Sequence, residues 1–249
     1  MYAKYWPAVL IPSLDSLERQ RMRLLTCIRF PFVTFAICFC VVAQFGFAQT
    51  VFPPPQLVDY IRPFVGTQGE GNTYPGAVAP FGMLQLSPDT EDSLWETASG
   101  YEYSDSSIIG FSLAHLSGPG IPDLGDFPFI PEVGTPKFIP GPKAHPDSGY
   151  RSPYLHQDES ASAGYYQVKL KKISVNVELT AADRSGMLRF TFPQTDSAYI
   201  VTDLHHVLRW EAMWSDIRVL NDSTVTGYHV PSGQKRMLSI PVTWRSNQS

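Results

Sequence analysis

From Gly164 onward, apolar residues recur at every second position, and no segment of useful length shows the three-to-four spacing of an amphipathic helix. In "ISVNVELT", Ile173, Val175, Val177 and Leu179 share one face, while Ser174, Asn176, Glu178 and Thr180 share the other. That alternation is the signature of a strand with one side in a core and the other in water. "GMLRFTF" repeats it, with Leu188, Phe190 and Phe192 set against Arg189 and Thr191, and "AYIVTDL" follows as a third β-rich segment. Strand-like runs come about every ten to fifteen residues and are bounded by Gly, Pro, Asp and Ser. The spacing predicts an all-β fold, an antiparallel sandwich.

The chain ahead of these strands is irregular. "TVFPPPQ" reads as a short stiff linker. "GTQGEGNTYPGAVAPFGMLQLSPDT", Gly66 to Thr90, is crowded with glycine and proline yet ends in an ordered apolar run. Glycine permits sharp turns and proline resists helix, so this stretch is either a linker or a shaped surface. Composition does not decide between them. The many prolines of residues 127–153 leave no room for a long helix.

The first 48 residues read as a leader. Arg21, Arg23 and Arg29 precede the apolar run Phe30 to Ala43, and Gly46 and Ala48 sit at the small-residue positions of a cleavage site, which makes Gln49 the expected mature N-terminus. The run is shorter than the ~20 residues of a spanning helix, so a cleaved signal peptide is favoured over a stable membrane span. A lipoprotein is disfavoured because Ile37 and Phe39, rather than small residues, precede Cys38 and Cys40. Met22 is a more ordinary start than Met1, so residues 1–21 are a candidate mis-called start. Export places the mature protein in a periplasm or outside the cell.

All three cysteines, Cys27, Cys38 and Cys40, lie in this leader. The mature chain, residues 49–249, therefore depends on an ordinary core with no disulfide and no thiol chemistry. From Thr50 onward, 14 Lys and Arg stand against 21 Asp and Glu, a formal charge of −7. Nucleic acid and anionic membrane surfaces both reward clustered positive charge, so neither is expected as a partner.

The reactive groups form no familiar constellation. Asp123 and Asp126 in "DLGDF" are three residues apart in a glycine-containing loop. That spacing suits turn caps accepting backbone N–H groups better than an acid–base pair across a substrate. His205 and His206 would point to opposite faces of a strand and so would not share a metal, which leaves packing or surface roles. There is no calcium-binding loop, phosphate-binding loop, nucleophile elbow or dinucleotide fingerprint. Trp95, Tyr101, Tyr103, Phe111 and His115 cluster within about twenty residues. Such aromatics suit sugar stacking, but by type alone core packing is the more ordinary role.

Several long segments carry more information than any short motif. "RPFVGTQGEGNTYPGAVAPFGMLQLSPDT", "SGYEYSDSSIIGFSLAHLSGPGIPDLGD", "GYYQVKL" and "VELTAADRSGMLRFTFP" together resemble the N-terminal region of the family 92 glycoside hydrolases, which are exported α-mannosidases. The resemblance runs in order from about Leu57 to Tyr228. It implies a β-sandwich of the large supersandwich type, packed in the intact enzyme on a helical (α/α) barrel, with a mannose pocket between the two. The Gly/Pro loop would then be a shaped surface at the domain boundary.

By the same resemblance, the general acid and base and an assisting calcium ion belong to the helical domain, so neither catalytic residues nor a metal site nor any cofactor is expected in this chain. The residues that carry over as pocket-lining are Trp95, as an aromatic wall beside the leaving sugar, and Gly69, Tyr101 and His115 at the boundary. Two positions depart from the family pattern: Leu113 stands where a histidine is common, and Ala98 where a cysteine is common. Beyond about Tyr228 the residues become atypical, as a frameshift or early stop would make them.

The implied function is the N-terminal pocket domain of an exported α-mannosidase acting on mannose-containing glycans, such as those of N-glycan degradation. A helical catalytic domain encoded downstream is the implied partner. A stand-alone carbohydrate-binding module and an inactive remnant are the alternatives. A gene for the helical barrel lying just downstream would favour split halves of one enzyme.

Overall fold

The computed structural model describes residue 54 and residues 56–90, 95–118, 121–209, 211–232 and 238–243. The leader reading falls on residues outside these.

The fold is built from short antiparallel strands, with 3-10 turns as the helical pieces among the described residues. In chain order the strands are β1 (Ala77–Val78), β2 (Gln85–Asp89), β3 (Ser107–Ile108), β4 (Gly110–Ser112), β5 (Phe129–Val133), β6 (Ser152–Pro153), β7 (Glu159–Ser162), β8 (Tyr165–Leu170), β9 (Val175–Ala181), β10 (Gly186–Thr191), β11 (Ala198–Thr202), β12 (Ala212–Asn221), β13 (Thr224–Pro231) and β14 (Leu238–Thr243). One sheet has the order β1-β2-β4-β5-β11, and a second the order β10-β9-β8-β7. Strands β12-β13-β14 form a third sheet, and β3 and β6 a two-stranded ribbon.

The second sheet follows directly from the alternation in the sequence. Val175, Val177 and Leu179 are buried. They face Leu170, Val168 and Tyr166 across β8, while Val177 and Leu179 face Phe190 and Leu188 across β10. The opposite face is polar: Glu178 pairs with Arg189 and accepts the Tyr165 hydroxyl at 2.7 Å. A one-residue slip would exchange these faces, so the pattern fixes the register.

The expected strand from Ile173 begins two residues later, at Val175. Ser174 takes φ +55° in the turn that joins β8 to β9, and this breaks the extended run. Ile173 is buried all the same, packing from the turn.

Leu86 and Phe111 of the first sheet share one apolar cluster with Tyr166, Val168, Val175, Val177 and Leu179 of the second. Two sheets packed over a common core make the sandwich that the periodicity predicts. The outer face of the central strands β2, β4 and β5 is covered too. Ile109, Ile130 and Tyr150 form a smaller cluster there, with Val201 against it. Tyr150 belongs to the proline-rich segment, which is tied down by Tyr150 N–H to Ile139 O (2.8 Å) and by the Tyr150 hydroxyl to Asp203 (2.7 Å). Strands buried on both faces explain why polar residues such as Ser87, Asp89 and Ser112 lie inside the protein. Each of these needs an internal partner.

Candidate functional site

The irregular loops gather at the end of β2. The chain leaves that strand at Asp89, runs through the loop that carries Trp95, and returns where Thr90 N–H meets Gly100 O at 2.8 Å. The Gly/Pro segment lies against this loop. Ala98 N–H donates to Asn72 Oδ1 (3.0 Å), Ser99 Oγ to Thr73 O (3.0 Å), Tyr103 N–H to Thr67 O (2.8 Å) and Gly69 N–H to Glu102 Oε2 (3.1 Å). Gly118 N–H closes the far side on Asn72 O at 2.6 Å. Bonds of this number and spread mark a shaped surface rather than a linker.

Trp95 opens a 3-10 turn on this rim and is 44% exposed. The Arg209 guanidinium stands 4.6 Å over its ring. Such a stack steadies an exposed indole. Arg209 itself takes φ +69°, a conformation uncommon outside glycine. Gly69 is exposed with φ +61°, and a Cβ there would meet nothing within 4 Å, so its backbone geometry rather than lack of space calls for glycine.

Tyr101 and His115 lie deeper, each 1% exposed. The Tyr101 hydroxyl donates to Glu159 Oε1 at 2.8 Å. Glu159 also accepts from Tyr166 (2.8 Å) and contacts His156 Nδ1 (2.5 Å). Burial pushes the Tyr101 phenol well above its usual range, with Tyr154, Tyr166 and Glu159 adding to the shift. His115 lies beneath the rim on Asp89, so both residues can serve a surface site only indirectly.

Asp89 is the centre of a buried cluster that the sequence reading did not single out. His115 Nε2 lies 2.8 Å from its Oδ1, and Ser112 Oγ and His206 Nε2 (3.3 Å) approach its Oδ2. His115 Nδ1 is 2.8 Å from Gln85 O. Gly100, at φ +87°, passes so close that a Cβ would lie 2.6 Å from Asp89 Oδ1. The local sequence "LQLSPDTED" carries little signal for it, since Asp89 is one of three acids within four residues.

The other candidates resolve as follows. Asp123 Oδ1 accepts Leu124 N–H at 2.9 Å, the turn-capping role expected of it. Asp126 differs from expectation: its carboxylate faces His229, with Nδ1 3.0 Å from Oδ1, instead of capping the turn. The physical reason is that its own backbone lies in a ladder with residues 113 and 114, which aims the side chain toward β13. His205 and His206 are on a turn after β11, not on a strand, because β11 ends at Thr202. His205 is exposed and His206 is buried on Asp89.

Leu113, where the family commonly has histidine, packs into the main core, and Ala98 is fully buried. Among the described residues, no group of three or more His, Cys, Asp or Glu side chains could hold a metal ion. No helix among them is long and apolar enough to cross a membrane.

Comparison with known proteins places these loops in a wider context. The family model for the glycosyl hydrolase family 92 N-terminal domain matches residues 60–243. A family GH92 α-mannosidase from Bacteroides thetaiotaomicron, also solved in complex with mannoimidazole, is 50% identical with a TM-score of 0.74, covering 76% of this chain and 26% of its own. The family GH92 inverting mannosidase from B. thetaiotaomicron VPI-5482 is 28% identical with a TM-score of 0.58, covering 71% of this chain and 23% of its own. An uncharacterized secreted glycosidase of Arthroderma benhamiae is 30% identical over 139 residues, 55% of this chain and 18% of that protein. The chain thus spans about a quarter or less of the length of the relatives it matches.

Proposed function

The chain belongs to glycoside hydrolase family 92 through that family's N-terminal domain, and from that premise we propose that it forms one wall of a mannoside-binding pocket in an exported α-mannosidase. The observation that carries this reading is the half-exposed Trp95, steadied by Arg209 on a loop locked to the Gly/Pro segment. An indole held in this way offers a flat face to the C–H side of a pyranose. In this reading a helical domain completes the pocket and supplies the catalytic carboxylates and calcium. N-glycan degradation is a natural setting.

The experiment is truncation of Trp95. Trp95→Ala should change folding stability by no more than about 1 kcal/mol, because only an exposed stack is lost. Binding of α-mannosides to the chain should disappear in the same variant. A fall of about 3 kcal/mol or more in a denaturation experiment would make Trp95 a core residue and sink the proposal.

A second reading, a carbohydrate-binding module acting alone, draws on the same rim, which is held together by bonds within this domain. The two readings share an expectation about this chain by itself. It should hydrolyse no aryl α-mannoside with or without calcium, since glycoside hydrolysis requires two carboxylates placed across the scissile bond. Here Asp89 and Asp126 face histidines, Glu159 holds tyrosines and Asp123 caps a turn. Metal-dependent turnover abolished by Asp123→Asn or Asp126→Asn would overturn that expectation.

In this reading the leader is a signal peptide that is removed on export. Mass spectrometry of the exported protein should find Gln49 at its N-terminus, and retention of Cys40 or the upstream arginines would contradict a cleaved signal peptide.

A further inference from the structure

The protonation of the Asp89 cluster follows from its geometry. A carbonyl oxygen can only accept a hydrogen bond, so the 2.8 Å contact with Gln85 O places a proton on His115 Nδ1. The other ring nitrogen, Nε2, faces Asp89 Oδ1 at 2.8 Å. Ser112 and His206 converge on Asp89 Oδ2. Three groups able to donate surround one carboxyl, and both nitrogens of one imidazole face acceptors. The side chains of Asp89 and His115 have no solvent contact that could provide other partners. The Tyr74 ring packs on the imidazole, with centroids 5.2 Å apart and a tilt of 41°.

The connections of this cluster reach the rim from two sides. Asp89 is followed at once by Thr90, whose N–H closes the neck of the Trp95 loop on Gly100. His206 lies three residues before Arg209, which covers Trp95.

We infer that Asp89 and His115 form a buried hydrogen-bonded pair, with His115 Nδ1–H on Gln85 O and one proton held between Nε2 and Asp89 Oδ1, and that this pair positions the rim by pinning the Trp95 loop and the Arg209 loop to the end of β2. The positioning half of the inference rests on the reading of that rim as a binding surface; the hydrogen-bond arrangement does not. Asp89 and His115 touch no ligand in this account and act through the loops they hold. The titratable groups facing His115 are Asp89, His206 across the carboxylate, and Tyr74. Burial alone would raise the Asp89 pKa, but the charges and hydrogen bonds of His115 and His206 outweigh it and hold the carboxyl well below its ordinary range. Burial pushes the Tyr74 phenol up to about 12, so it stays neutral beside the ring.

Two measurements test the inference. Nuclear magnetic resonance of the histidine-labelled chain should show a proton on His115 Nδ1 at about pH 7, protected from exchange by its bond to Gln85 O. An Nδ1 without a proton there would overturn the hydrogen-bonded pair, and this test needs no variant. Hydrogen exchange in Asp89→Asn should quicken at least about tenfold in residues 95–100 and 203–209 together, while β8 and β9 keep their protection. Unchanged exchange in either loop would overturn the positioning role. If Asp89→Asn does not fold, His206→Gln in the same experiment should loosen 203–209 first, and no loosening there would overturn that role. Failure of the parent chain to bind α-mannosides would remove the rim reading while leaving both of these results standing.

Discussion

Replacing Asp89 with alanine should remove about 3–5 kcal/mol of folding stability, the cost of leaving one partner of a buried ion pair uncompensated. The change strands the His115 imidazole in a site closed to bulk solvent and deprives Ser112 and His206 of their shared acceptor. The control is Lys143→Ala. Lys143 pairs with Asp105 at 2.7 Å, but its side chain is 39% exposed, and breaking a pair of that kind should cost no more than about 1 kcal/mol. Urea denaturation of both variants makes the comparison, and equal losses would show that the Asp89 cluster carries no special weight.

The same residue sets a pH dependence. Its folded-state pKa lies below the ordinary value, so the stability it contributes is complete above about pH 4 and is lost as pH falls further, toward the folded pKa. The parent protein should therefore weaken in acid below about pH 4 more steeply than Asp89→Ala, which no longer has that carboxyl to protonate. Parallel acid limbs for the two proteins would contradict this linkage.

Local pattern made the second sheet legible. Val175, Val177 and Leu179 alternate with polar residues because one face of β9 meets water, and a single period of two reports both faces. The central strands of the first sheet, β2, β4 and β5, are covered on both sides, so they show no alternation. Ser87, Asp89, Gly110 and Ser112 look like loop residues although all are buried. For the same reason Asp89 escaped notice and its pairing with His206 could not be read: the two lie far apart in the chain, and their shared site exists only once β2 and the turn after β11 are brought together. Trp95, Gly69, Tyr101 and His115 came from family resemblance. The structure separates them by depth, two on the rim and two beneath it, and that distinction requires three-dimensional burial.

The packing of the two sheets has its own decisive residue. Phe111 of β4 is fully buried and meets Phe190 of β10 across the core, with ring centroids 6.3 Å apart at 62°. Phe111→Ala should cost about 3–5 kcal/mol, from lost burial and the cavity left behind. Phe190→Ala should cost less, because that ring is only partly buried near the open edge of its sheet. A double-mutant cycle should return a coupling of about 0.5–1.5 kcal/mol for an edge-to-face aromatic pair. Phe138, 74% exposed, is the contrast: its truncation should stay within about 0.5 kcal/mol. Denaturation midpoints for the set decide the matter, provided the slope with denaturant stays constant. A small loss at Phe111, or a zero coupling with Phe190, would mean that the two sheets do not meet as a sandwich. The loops would then lack the rigid base on which Asp89, Arg209 and Trp95 depend.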